Sequence, residues 1–84
     1  MADKPVGMVT HYFDHIGVAV IKIEKGDLAV GDKIKIQAKD GDFEQPVESM
    51  QIEHQQIEKA KTGDEFGLKV EQPVEKGDKV LLVS

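Results

Sequence analysis

Five Gly-Asp dipeptides punctuate this chain: Gly26-Asp27, Gly31-Asp32, Gly41-Asp42, Gly63-Asp64 and Gly77-Asp78. Glycine reaches positive φ without steric cost, and an aspartate carboxylate hydrogen-bonds nearby backbone, so each pair predicts a turn. The segments between them are β-branched. Val and Ile total 17 residues against 4 Leu, which favours strands over helices.

Alternation supports the strand reading. Lys33 to Lys39 places Ile34, Ile36 and Ala38 on one face and Lys33, Lys35, Gln37 and Lys39 on the other. Phe66, Leu68 and Val70 share a face, with Glu65, Lys69 and Glu71 opposite. Val18–Ile23 is apolar apart from Lys22. Val6–Phe13 reads as a first strand, Phe43–His54 as a long fourth and Asp78–Ser84 as the last. The fourth breaks its own rhythm, and a bulge at Glu48-Ser49 would turn Val47, Met50 and Ile52 all inward. Pro46 cannot donate to a ladder, which places it at an edge or an irregular position. His54–Thr62 is polar and reads as a loop tucking Ile57 and Ala60 onto the core. Six strands joined by short turns predict an all-β fold in one domain over residues 1–84, a small antiparallel barrel with a two-sheet sandwich as the alternative.

Composition limits function. A chain of 84 residues has room for one core. No apolar run approaches the roughly 20 residues of a membrane helix, and no signal peptide opens the chain, so a cytoplasmic protein with no membrane partner is expected. Without Cys there is no disulfide, thiolate nucleophile or Cys-based metal site. All 11 basic residues are Lys, and the net charge is −5, opposite to the basic face that binds nucleic acid by bulk electrostatics. Ser49 and Ser84 are the only serines, and neither lies in a nucleophile-elbow context. The chain is expected not to be an enzyme and to carry no cofactor.

The stretch Val18 to Ile34, with its two Gly-Asp turns around Leu28 and Val30, resembles the second, β-barrel domain of translational GTPases such as elongation factor Tu. Val47 to His54, Ala60 to Val70 and Glu75 to Val80 are similar to further segments of that domain, in order. The opening Gly7 to Phe13 looks like free-standing translation elongation factor-like proteins of this length. The resemblance implies a six-stranded barrel with Leu28 and Val30 plugging one end. There is no phosphate loop, so the chain has no nucleotide binding of its own.

In those GTPases the second domain helps hold the aminoacylated end of tRNA. By resemblance Gln51 and His54 fall on the positions facing the terminal adenosine, although the family carries an acidic residue at the first. The alternative for both is a solvated strand surface. His11-Tyr12-Phe13-Asp14-His15 is the densest chemical cluster. His11 and Tyr12 are candidates for a nucleic-acid or partner contact, with Phe13 expected to pack inward. His11, Asp14 and His15 fit no established metal-site spacing, so no metal is expected. Lys33, Lys35 and Lys39 read as a solvated stripe rather than a phosphate track. The resemblance thus implies a non-catalytic RNA-binding module of protein biosynthesis, meeting tRNA or a translation protein. The alternative is a protein-interaction adaptor docking on a larger enzyme, since similar barrels are appended to enzymes that include the collagenase-like peptidases.

Overall fold

A computed structural model describes residues 3–39 and 41–83. The end of the last expected strand, at Ser84, and the start of the chain lie outside them. Among the described residues every regular element is a strand and every pairing antiparallel. The strands are β1 (Lys4–Phe13), β2 (Val18–Ile23), β3 (Leu28–Ala29), β4 (Lys33–Ala38), β5 (Gly41–Pro46), β6 (Met50–Ile52), β7 (Gln55–Ile57), β8 (Lys59–Ala60), β9 (Glu65–Lys69) and β10 (Lys79–Val83).

Eight of them form one sheet in the order β5-β4-β10-β1-β2-β9-β6-β7. The short β3 and β8 pair separately, Leu28 opposite Ala60, and both of these side chains are fully buried. Leu28 therefore plugs the core as expected, whereas Val30 is 42% exposed and does not. The sheet curls, because Gln45 on its first strand reaches residues at the far end of β9.

The predicted closed barrel is not realised. β5 and β7 end the sheet without pairing to each other. The reason lies in the chain between β5 and β6. Pro46 has no N–H to donate. The Val47 amide donates to Asp32 O at 2.7 Å, and its carbonyl accepts from Gly31 N at 2.8 Å. These bonds hold Val47 to the start of β4, so the strand breaks there instead of bulging. Val47 and Met50 are buried on either side of the break, and Ile52 is half-buried.

Gln45 bridges the gap left by the open ladder. Its Nε2 donates to Lys69 O at 2.9 Å, and its Oε1 accepts from Glu71 N at 2.9 Å. One side-chain amide thus stands where a strand's peptide group would, and it is the one buried polar side chain among the described residues. A buried amide is tolerated only when both ends are bonded, as here.

Three Gly-Asp pairs build one turn. In Ala29–Asp32, Lys61–Asp64 and Glu75–Asp78 the aspartate carboxylate accepts from the first residue's amide, at 2.9, 3.0 and 2.8 Å. The aspartate's own amide donates back to that residue's carbonyl. The glycine between them has φ of +100°, +94° and +96° in the three turns, the type II requirement at the third position.

Part of the expected loop His54–Thr62 is strand, since β7 and β8 lie within it. β6 and β7 pair across Glu53-His54, which have φ of +51° and +67°. Positive φ at both central residues is the type I′ geometry whose twist matches the flanking strands. Ala60 is fully buried, and Ile57 packs against the core, as predicted.

Candidate functional site

Register places most of the chemistry-bearing residues on the outside of one half of the sheet. Paired residues in an antiparallel ladder share a face. His11 pairs with Val20, Val20 with Gly67, Gly67 with Gln51, and Gln51 with Gln56. This row crosses five strands, roughly 19 Å at the usual strand spacing. On one side of it lies the row Phe13-Val18-Lys69, and on the other Met8-Lys22-Glu65. The interleaved residues Ala19, Ile21, Phe66 and Leu68 point into the core.

A bulge sets which side of β1 faces out. The register against β2 slips between Val9 and His11, so Thr10 is the extra residue. Beyond it the parity reverses. His11 and Phe13 stand on the outer face, with ring centroids 6.4 Å apart and planes 25° from parallel. Tyr12 turns inward and packs against the core. The expectation for Phe13 is therefore corrected: it is 49% exposed, and Tyr12 occupies the inward position. Thr10 uses its hydroxyl as a tie, near both Val20 O and Glu65 Oε2 at 3.2 Å.

The β1–β2 turn extends the exposed apolar surface. The amides of Ile16 and Gly17 both donate to Phe13 O, and Gly17 has φ +67°. Ile16 projects from this turn and is 63% exposed. Asp14 and His15 approach within 3.8 Å of each other in open solvent, where an ion pair contributes little.

The four predicted contact residues thus part company. His11 and Gln51 share the central row. Tyr12 is on the opposite face. His54 is exposed at the β6–β7 turn. Gly67 explains why the middle of the row is low. A Cβ there would lie 3.4 Å from Val18 Cγ1, in ordinary contact, so the glycine leaves the floor bare rather than avoiding a clash.

Elsewhere the surface offers little chemistry. Lys33 bonds Glu44 at 3.0 Å, and Lys35 lies 3.7 and 3.8 Å from Asp3 and Asp42, so two of the three stripe lysines are matched by acids. An open groove of about 600 Å³ runs beside the Gln45 bridge, with Ser49 on its wall and no histidine in its lining. No group of three His, Asp or Glu side chains among the described residues is arranged to hold a metal. No helix among them is long and apolar enough to cross a membrane.

No protein-family model matches the chain. Among curated proteins it is 39% identical over 79 residues to an uncharacterized protease of Methanocaldococcus jannaschii. It is 38% identical over 76 residues to a collagenase of Porphyromonas gingivalis. These alignments cover 93% and 89% of this chain but 19% and 21% of the relatives, so the chain spans about a fifth of their length. Among solved structures, it resembles the C-terminal domain of a Geobacillus thermoleovorans protein assigned as a U32 peptidase. The TM-score is 0.88 at 18% identity, covering 96% of this chain and 93% of that one. A selenomethionine form of the same domain gives 0.85 at 19% identity, with 92% and 96% covered. These findings overturn the resemblance to translation factors, and with it the reading of the chain as an RNA-binding module of protein biosynthesis. The fold is that of a U32 peptidase C-terminal domain, and the similar sequences are named as proteases.

Proposed function

We propose that this chain is a non-catalytic accessory domain of U32-type peptidases, one that docks on the larger part of such an enzyme. The observation that carries the reading is the disparity of coverage. Nearly all of this chain aligns with about a fifth of a protease, and the matching fold is a separately folded C-terminal domain. A segment that recurs as a compact unit beside a much larger remainder serves that remainder by positioning, substrate presentation or assembly. The adaptor alternative drawn from the sequence is in this sense the better one.

The side chains agree with an accessory role. Histidine is the commonest general base at neutral pH. Here His11 stacks on Phe13, His15 stands in solvent beside Asp14, and His54 sits at a turn. None of these residues lines the groove that holds Ser49.

Labelled collagen incubated with the purified chain, beside the Porphyromonas gingivalis collagenase at equal molarity, tests the non-catalytic part. The chain alone is expected to release no more label than buffer. Turnover that follows the chain through successive purification steps would overturn this reading.

A further inference from the structure

Charged residues make up 32% of the chain, yet the row His11-Val20-Gly67-Gln51-Gln56 holds no Lys, Asp or Glu. Three large apolar side chains are exposed among the described residues, and two of them, Phe13 and Ile16, border this row at the β1–β2 end. Val18 and Val20, both half-buried, continue the apolar strip onto the sheet. The centre carries no Lys, Asp or Glu, with Lys22, Glu65 and Lys69 at its margin. An uncharged centre with an aromatic anchor and a polar rim is the anatomy of a protein interface. Single exposed apolar residues need no explanation, but a contiguous patch does.

We propose that this outer face of β1, β2, β9 and β6 is the surface that packs on the remainder of a U32-type peptidase chain, an inference resting on the accessory-domain reading above. The occupant follows from two observations. The relatives devote about four-fifths of their length to other segments, so an equivalent domain there has a large neighbour in the same chain. A second copy is the poorer candidate. Each copy carries a net charge of −5, and an independent dimer needs roughly 800 Å² from each partner. Phe13, Ile16 and two half-buried valines fall well short of that. In the relatives the matching segment shares a chain with its neighbour, and such linkage supplies an effective concentration in the millimolar range, so a smaller surface serves there. Gly67 suits the role, since its missing side chain lets a facing side chain or backbone settle between Val20 and Gln51.

The test is hydroxyl-radical labelling of Phe13 in two settings. One is this chain alone, and the other is the Porphyromonas gingivalis collagenase carrying this chain in place of its matching 76 residues. Phe13 labelling is expected to fall at least fivefold in the chimera, with Val30 unchanged. Gln51→Lys, at an exposed position, is expected to return Phe13 labelling to that of the isolated chain while the far-UV circular dichroism of the isolated variant matches that of the unsubstituted chain. Protection of Val30 or of Lys33 and Glu44 instead would overturn this face while leaving docking in place. Protection nowhere would overturn both the face and the docking reading. Phe13 labelling of the isolated chain that falls as its concentration rises would make the occupant a second copy, and would overturn the proposal.

Discussion

Gly7→Ala is expected to cost about 3 kcal/mol or more, the upper range for forcing atoms into a packed interior. A Cβ at Gly7 would lie 2.1 Å from the carbonyl oxygen of Lys22 and 3.0 Å from its carbon. Both are backbone atoms of the neighbouring strand, so no rotamer change relieves the clash. Gly7 is held from two sides, opposite Ile23 on β2 and Val80 on β10, beside the bulge at Val6. Its φ is not in the left-handed region, so the requirement is for space and not for conformation. A domain of this size loses about 4–8 °C per kcal/mol, so the melting temperature should fall by roughly 12 °C or more. Gly67→Ala, where the nearest atom is a flexible Val18 methyl at 3.4 Å, should shift it by only a few degrees. Equal shifts for the two variants in thermal melts followed by circular dichroism would refute this explanation of Gly7.

Gln45→Ala is expected to be the other severe substitution. It leaves Lys69 O and Glu71 N without the partners that Gln45 supplies. Both bonds are part-buried, and a net hydrogen bond contributes about 0.5–1.5 kcal/mol, so losing the two should cost about 1–3 kcal/mol. The effect should also be local. The Glu71 amide should exchange with solvent at least tenfold faster in the variant. The adjacent Val70 amide, bonded to Gly17 O at 2.9 Å, should slow or quicken only with global stability. Unchanged Glu71 exchange would mean that the seam is held by something other than this amide.

Strands with clean alternation were legible in the sequence. β4 and β9 follow directly from their period-2 patterns and β2 from its apolar run, and the Gly-Asp turns follow from glycine's access to positive φ. Where one residue changes parity, the pattern misleads. The Thr10 bulge reverses His11, Tyr12 and Phe13, and nothing in that polar-aromatic run signals where the extra residue sits. The β6–β7 hairpin was hidden because Glu53-His54 adopts a geometry usually supplied by Asn-Gly. Closure was misjudged because it depends on which backbone groups Val47 engages, a long-range fact. Nothing in the local pattern marks Gln45, whose two bonds reach 24 and 26 residues along the chain.

The translation-factor resemblance failed for a related reason. Its motifs were the Gly-Asp turns and the strands around them. The structure shows that those residues answer to turn geometry, through the reciprocal aspartate bonds at Asp32, Asp64 and Asp78. Any small β domain with such turns will share them, and shared fold elements do not carry function. Of the contact residues proposed from sequence, His11 and Gln51 remain of interest because register puts them on one uncharged row. Nothing about tRNA places them there.

The most direct test of the accessory-domain reading is replacement in a working enzyme. The matching 76 residues of the Porphyromonas gingivalis collagenase are deleted in one protein and exchanged for this chain in another, and collagen hydrolysis is compared with the intact enzyme. Deletion should lower the rate at least tenfold, and the exchange should recover most of that loss. An exchanged enzyme no better than the deletion would contradict the assignment of this chain as a peptidase-associated domain.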